Sequence, residues 1–311
     1  MTRVSVVLPV RNGAAHLREA VDSILSQTMT AFELIVIDDG STDATPALLA
    51  GLSDPRVRVL RQDGLGLVAA LNRGLMEARG PYVARMDADD IARPGRLAAQ
   101  AARLDAAPGV ALVGGAYRVI AADGTPMDTV HPPTGAEAVQ AGLLARNVIA
   151  HPTVMLRRDA VLAAGLYRPA FDRAEDYDLW LRLSERHQLE NLTEIVLDYR
   201  QHPGQSGWVA LEQRILSEMG AIAAAKRRAG SVEDGMDGPE PIDRAALGRL
   251  GLSGDAISDG VIGRALGAAA DARRAGFSEA ARVAYQLVLR QPSLRWRTRA
   301  HAQLRLRFPG R

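Results

Sequence analysis

The strongest constraint on this chain is a rhythm in its first hundred residues. Short runs rich in branched apolar residues alternate with amphipathic stretches of 10 to 15 residues. Arg3 to Val10 reads as a buried strand ended by Pro9 and Asn12-Gly13, because Gly and Asn favour turn backbone. Ala14 to Thr28 carries Leu17, Val21, Ile24 and Leu25 at helical spacing. Phe32 to Ile37 is a second strand, stopped by Asp38-Asp39-Gly40-Ser41, and Thr42 or Asp43 can cap a helix with Pro46 in its first turn. Val57 to Leu60, Leu67 to Ala78, Tyr82 to Met86 and Pro94 to Ala106 continue as strand, helix, strand and helix. Strands joined by helices demand a parallel sheet covered on both faces. In such sheets ligands sit beyond the carboxyl ends of the strands. Three of those ends carry polar clusters: Arg11-Asn12, Asp38-Asp39 and Asp87-Asp89-Asp90.

After residue 107 the rhythm changes. Val110 to Ile120 with the Asp123-Gly124 turn predicts a hairpin or mixed-sheet region. His151 to Arg157 reads as a strand, Asp159 to Ala164 and Glu175 to Arg186 as helices, and Ile195 to Arg200 as a last strand. From Val209 onward the pattern is helical, interrupted by a Gly-, Pro- and acid-rich loop from Gly230 to Pro241.

Composition narrows the chemistry. The 311 residues contain no cysteine, which excludes disulfides, thiolate zinc sites and a cysteine nucleophile. A net charge of +2 gives no reason to expect a nucleic-acid partner. No apolar run reaches the ~18 residues of a membrane span, and the apolar N-terminal stretch is too short for a signal-peptide core, so a cytoplasmic location is expected. The last segment, Arg290 to Arg311, holds seven Arg and no acid, with Leu294, Trp296, Leu304, Leu306 and Phe308 interleaved. It reads as a basic surface for peripheral contact with anionic lipid on the inner face of a membrane. A solvated or self-associating tail, and hence a homo-oligomer, is the alternative.

Each acidic cluster is ambiguous alone. Asp87-Ala88-Asp89-Asp90 leaves a buried strand, and carboxylates two apart on such a turn can converge on Mg²⁺ or Mn²⁺, yet Asp also favours turns and caps. Asp39 could accept hydrogen bonds from a base or ribose, or merely shape a turn. Glu175-Asp176 heads an amphipathic helix, where a carboxylate could act as general base or simply favour the positive end of the dipole. Among the histidines, His202 follows the last strand, where a returning loop could cover a nucleotide.

Five motifs follow one another along the first two thirds of the chain. Val6-Val7-Leu8-Pro9-Val10-Arg11-Asn12 comes first, then Ile35-Val36-Ile37-Asp38-Asp39-Gly40-Ser41-Thr42-Asp43, then Ala84-Arg85-Met86-Asp87-Ala88-Asp89-Asp90. His151-Pro152-Thr153-Val154-Met155 and Ala174-Glu175-Asp176-Tyr177-Asp178-Leu179-Trp180 follow. Taken together, over about residues 2 to 205, these motifs resemble those of family 2 glycosyltransferases with a GT-A fold. The resemblance implies an α/β fold, a Rossmann-like, mostly parallel sheet with helices on both faces plus a C-terminal helical extension. Residues 1–207 would form the transferase domain, about 1–107 its nucleotide half and 108–207 its acceptor half. Residues 208–311 would be the extension, with a flexible loop near 230–241.

The resemblance also implies roles. Pro9, Val10, Arg11, Asn12, Asp39, Ser41, Asn72, Asp87 and Ala88 would line the nucleotide pocket. Asp89, with Asp87 and His202, would hold Mn²⁺ or Mg²⁺ against the diphosphate. Asp176 would be the base of an inverting transfer and Glu175 would orient the acceptor. The partners implied are a nucleoside-diphosphate sugar, UDP-sugar first, and a glycan or lipid-linked acceptor in surface polysaccharide or glycoconjugate synthesis. Arg11 stands where many relatives carry an aromatic residue, and Leu71 where many carry Arg. The Gln-x-x-Arg-Trp signature of processive synthases is absent, which favours single transfer. A nucleotide-sugar pyrophosphorylase would need a Gly-rich basic loop after the first strand, and Pro9 to Ala14 is not one. No Gly-x-Gly-x-x-Gly follows that strand, which argues against a dinucleotide oxidoreductase. A degenerate, binding-only module is the remaining alternative.

Overall fold

The computed structural model describes residues 2–202, 210–274 and 276–307. The expected boundary at 207/208, Val209 and Phe308 lie outside the described residues. Two compact units are present: Met1–Tyr167 with Leu179–Gln201, and Arg168–Asp178 with His202–Arg311.

The first unit is built on one sheet. Its strands are β1 (Val4–Val10), β2 (Phe32–Asp39), β3 (Val57–Gln62), β4 (Tyr82–Arg85), β5 (Ile91–Ala92), β6 (Val110–Ile120), β7 (Pro126–Val130), β8 (Met155–Arg157) and β9 (Gln188–Arg200). They run in the order β3-β2-β1-β4-β8-β6-β9-β5, with β7 paired to β6. The first four are mutually parallel, as the strand–helix rhythm requires. β8 pairs antiparallel to both β4 and β6, so the second half of the sheet is mixed.

The helices of the alternating half are α1 (Leu17–Leu25), α2 (Thr45–Ala50), α3 (Leu67–Glu77) and α4 (Arg96–Ala106). Every residue of β1 is buried, as a central parallel strand covered on both faces must be. Alternate residues point to opposite faces. Val4, Val6, Leu8 and Val10 join Leu17, Val21 and Ile24 of α1 and Leu97, Ala101 and Leu104 of α4 in one core cluster. The other face carries Val7 and Ile37, against which α3 is pressed so closely that a Cβ on Gly74 would lie 2.3 Å from Val7 Cγ1.

The later helices are α5 (Ala136–Leu143), α6 (Arg158–Ala163) and α7 (Glu175–Ser184). The second unit adds α8 (Leu211–Ala229), α9 (Arg244–Arg249), α10 (Gly254–Arg274), α11 (Ser278–Leu289) and α12 (Trp296–Arg307). Its polar centre is Arg168, which donates to Asp178 at 2.5 and 3.1 Å and to Asp234 at 3.0 and 3.1 Å. Asp234 lies in the 230–241 loop and is buried there, so that loop is anchored at its middle.

Several elements depart from the sequence-based expectation. β2 does not stop before Asp38-Asp39 but carries both, because they keep pairing with Arg61 and Gln62 of β3. Neither Thr42 nor Asp43 is the N-cap of α2; that place falls to Ala44, and Asp43 instead accepts a hydrogen bond from Thr45 N. His151–Thr153 is a 3-10 turn, so β8 begins only at Met155. α5 was not expected, and β9 begins seven residues before Ile195, because Gln188 to Leu192 pair with β6.

Candidate active site

The carboxyl ends of β1, β2 and β4 share one edge of the sheet, and each hands its chain to a polar turn. The first two turns are tied together. Asn12, at a left-handed φ of 53°, donates its backbone N–H to Ser41 Oγ at 2.9 Å. Its side-chain Oδ1 accepts from Thr42 N at 2.8 Å. Gly13 N donates to Thr45 Oγ1 at 3.0 Å and Ala14 N to Asp43 Oδ2 at 3.1 Å. The Asn12 and Ser41 side chains therefore set the shape of this edge.

Asp39 closes a third turn. Its Oδ1 accepts from Gln62 Nε2 and Leu65 N, both at 2.7 Å, and its Oδ2 accepts from Gly66 N at 3.0 Å. The carboxylate is buried, yet three donors satisfy it. Two glycines permit the approach. Gly40 has φ +72°, and a Cβ there would lie 2.8 Å from Gly64 N. The guanidinium of Arg11 lies flat over Gly64, since a Cβ built on that residue would be 3.5 to 3.6 Å from Cζ and both Nη atoms. A planar cation thus occupies the place where the resemblance leads one to expect an aromatic ring.

The acidic turn after β4 is the most charged part of the edge. Among the described residues, Asp87, Asp89 and Asp90 each offer one carboxylate oxygen, and these three atoms lie within 4.8 Å of one another. Asp87 and Asp89 are half-buried and Asp90 is fully buried. Burial raises the Asp87 carboxyl above its ordinary value, opposed by Arg85, with which it forms an ion pair, and reinforced by Asp89. Burial raises Asp90 further, helped by the charges of Asp87 and Asp89. Asp90 Oδ1 accepts from Arg200 N at 2.8 Å, whereas its Oδ2 is buried with no hydrogen-bond partner. An orphaned buried carboxylate oxygen is costly. Three hard oxygen donors that repel one another, one of them unsatisfied, fit a divalent cation such as Mg²⁺ or Mn²⁺.

Two buried arginines hold this turn. Arg200, 2% exposed, donates from Nε to Asp89 O at 2.8 Å and from Nη1 to Ala122 O at 2.9 Å, and pairs with Glu19. Arg96 donates to Arg85 O at 2.7 Å and to Val154 O at 3.2 Å. Burial, with Arg85 nearby, pushes the Arg96 guanidinium down to about 9, against the pull of Asp90 and Asp87.

Pro9 and Val10 are buried at the end of β1, and Ala88 is half-buried between the acids. Asn72 has its amide engaged: Nδ2 donates to Tyr167 O at 2.8 Å and Oδ1 accepts from Tyr167 N at 3.0 Å. Tyr167 Oη meets His151 Nε2 at 2.9 Å, and His151 packs edge-on against Trp180. Burial, then the Arg85 charge, holds His151 well below its ordinary pKa, so it is neutral.

Glu175 and Asp176 open α7 and belong to the second unit. Glu175 is buried; Asp176 is half-buried and its Oδ1 accepts from Tyr177 N at 2.7 Å. His202, half-buried just past β9, also falls in the second unit and is not a member of the carboxylate group. Sequence reasoning missed the structural part played by Arg85, Arg96 and Arg200 and assigned no role to Asp90. For Asp90 the signal was its place beside Asp89. For the arginines none exists, because an Arg on a strand or helix reads as solvated until its neighbours are known.

The architecture is that of solved GT-A glycosyltransferases. The S. aureus TarS fragment 1-349, solved with UDP-GlcNAc, superposes with a TM-score of 0.58 at 16% identity, covering 98% of this chain and 88% of that one. The mannosyltransferase PcManGT of Pyrobaculum calidifontis, solved with GDP-Man and Mn²⁺, gives 0.57 at 19% identity, covering 99% and 88%. The model of the family "Glycosyl transferase family 2" matches residues 5–163, and the chain belongs to that family and is a glycosyltransferase. The O-antigen biosynthesis glycosyltransferase WbnJ of Escherichia coli is 33% identical over 205 residues, 64% of this chain and 80% of WbnJ.

Proposed function

We propose that this protein is an inverting, metal-dependent transferase that moves one sugar from a nucleoside-diphosphate donor to a glycan or lipid-linked acceptor. The observation that carries the reading is the Asp87–Asp89–Asp90 group with its orphaned Asp90 oxygen, on the same sheet edge as Asp39. The Mn²⁺ and nucleotide sugars of the TarS and PcManGT structures support a donor of this class, and the O-antigen role in the name of WbnJ supports a surface-polysaccharide acceptor. UDP-sugar is the favoured donor.

Asp87, Asp89 and Asp90 would hold Mn²⁺ or Mg²⁺, which when bound supplies positive charge against the leaving diphosphate. Arg200 and Arg96 keep that turn in place. Pro9, Val10, Ala88, Arg11 and Asp39 frame the nucleotide, with the Arg11 guanidinium as the surface for the base. Asp176, assigned through the resemblance, takes the proton of the acceptor hydroxyl. The acceptor oxygen then bonds to the anomeric carbon from the side opposite the diphosphate, the carbon–oxygen bond to phosphate breaks, and configuration inverts. Glu175 orients the acceptor. Peripheral contact with anionic lipid through 290–311 is part of the same reading, supported by Trp296 and Leu304, 74% and 56% exposed.

The test is donor consumption and transfer with Mn²⁺, after a thermal-shift screen of UDP-, GDP- and dTDP-sugars. Asp89→Ala and Asp176→Asn should each lower turnover by at least ~100-fold, in line with loss of metal or base. Full activity in both variants would defeat the mechanism. Nucleotide binding without turnover for any donor and acceptor would favour a binding-only module.

A further inference from the structure

Three buried arginines lie against the acidic turn, and they are not engaged alike. Arg96 donates to Gln100 Oε1 at 3.1 Å, Arg85 O at 2.7 Å and Val154 O at 3.2 Å. Arg200 donates to Asp89 O and Ala122 O and pairs with Glu19. Both hold backbone carbonyls. Arg85 instead meets a member of the carboxylate group itself, since its Nη1 donates to Asp87 Oδ2. Its Nε is buried with no hydrogen-bond partner.

Arg85 ends β4, and its backbone N donates to Val154 O at 3.0 Å. Alternate residues of a strand face opposite ways. Ala84 and Met86 join the core cluster with α1 and α4, so Arg85 faces the other side of the sheet. Its side chain is 5% exposed and that of Asp87 is 30% exposed, so the pair runs from the interior toward solvent at the sheet edge. Burial would lower the Arg85 guanidinium, and the charge and hydrogen bond of Asp87 overcome it.

Two unmet needs of opposite kind therefore lie close together: the Nε donor of Arg85 and the Oδ2 acceptor of Asp90. Each is costly where it stands. A divalent cation answers only the acceptor, competes with the guanidinium for Asp87, and repels Arg85. An anion answers only the donor. A cation and a diphosphate together answer both, and the planar fork of Arg suits phosphate oxygens.

We propose that Arg85 is a further donor-binding residue: as Asp87 turns to the divalent cation, Arg85 exchanges that carboxylate for an oxygen of the donor's diphosphate. The inference rests on the metal-dependent transfer proposed above. Its consequence is that cation and diphosphate bind cooperatively through this side chain.

Calorimetry on the full-length protein measures Mn²⁺ alone, UDP, GDP and dTDP alone, and each nucleotide with saturating Mn²⁺. The nucleotide that binds most tightly is carried through the variants, and thermal unfolding checks that each variant is folded. In the unsubstituted protein, Mn²⁺ should tighten nucleotide binding by at least about tenfold. Arg85→Met should bind Mn²⁺ alone about threefold or more tightly, because the competing charge is gone. With saturating Mn²⁺ it should bind nucleotide at least about tenfold more weakly, as loss of one charge-assisted contact predicts. Arg85→Lys keeps a charge beside Asp87, so Mn²⁺ alone should bind as in the unsubstituted protein. Nucleotide binding should still fall by at least about threefold, because Lys lacks the fork. If Arg85→Met does not fold, Arg85→Lys alone decides. Mn²⁺-dependent nucleotide binding that neither variant weakens overturns the role of Arg85 and leaves the metal reading standing. Weaker binding of Mn²⁺ and of nucleotide alike in folded Arg85→Met makes the residue structural only and also overturns the proposal. An unsubstituted protein that binds nucleotide equally with and without Mn²⁺, or binds neither, overturns the metal reading and this inference with it.

Discussion

Replacing Arg200 with Met tests whether the acidic turn is held in shape by its surroundings. Met keeps much of the buried volume and removes the guanidinium. The interactions lost with it include Nε to Asp89 O at 2.8 Å, Nη1 to Ala122 O at 2.9 Å and to Ala121 O at 3.4 Å, and the ion pair with Glu19. Glu19 is half exposed and returns to water, so its loss counts for little. The carbonyls of Asp89 and Ala122 lose short bonds to a cation at a site only 2% exposed, at about 1.5–3 kcal/mol each. The Ala121 contact is long and adds little. The sum is about 3–6 kcal/mol, which for a unit of this size lowers Tm by roughly 6–24 °C. Arg200→Lys keeps the charge but not the fork, and should fall between the two. Thermal unfolding gives the stability. A Mn²⁺ titration of donor consumption gives the functional effect, expected as a rise of at least ~10-fold in the half-saturating Mn²⁺ concentration with a smaller change in kcat. An Arg200→Met protein within about 1 °C of the parent and with an unchanged Mn²⁺ curve would refute the claim that this side chain organises the turn.

Three further outcomes are expected. Asp90→Asn removes a buried charge that Asp87 and Asp89 oppose, so the metal-free protein should not lose stability. The added stability from saturating Mn²⁺, about 2.7 kcal/mol at 100 times Kd, should shrink by at least ~1.4 kcal/mol, read by thermal shift with and without EDTA. Gly40→Ala forces a side chain onto φ +72° and brings a Cβ within 2.8 Å of Gly64 N, so urea unfolding should show a loss of about 1–3 kcal/mol. In the helical unit, burial would raise the Asp234 carboxyl, but its hydrogen bonds and charge pairing with Arg168 win and hold it at about 2. Because the folded value lies below the unfolded one, the contribution is full above about pH 4 and disappears as pH falls toward 2; Asp234→Asn should flatten that part of the acid-unfolding curve.

The first half of the fold was legible because β1, β2 and β4 are wholly buried and its helices carry one apolar face. Val4 to Val10 and Leu17 to Leu25 announce themselves by period alone. The motif positions were legible for the same reason, since a polar cluster after a buried run marks the carboxyl end of a strand at the sheet edge. What was hidden depended on partners distant in sequence. Asp38 and Asp39 look like a turn but remain in β2, because the Gln62 and Gly66 partners of Asp39 lie more than twenty residues on. Asn72 read as a nucleotide contact, yet its amide matches the backbone of Tyr167, ninety-five residues away. The 230–241 loop carries the composition of a linker, and only Arg168 shows why Asp234 is buried.

The four side chains that join the first two turns, Asn12, Ser41, Asp43 and Thr45, belong to no single secondary structure element. Each satisfies a backbone group that another depends on, so their substitution effects should be epistatic. A change at Ser41 would alter what a change at Asn12 costs, with interaction terms of about 0.5–3 kcal/mol expected between groups in one network. Redesign of this sheet edge therefore has to treat these residues as one unit of inheritance: libraries that vary them singly will mostly sample failures, and those that vary them together can reach other working combinations.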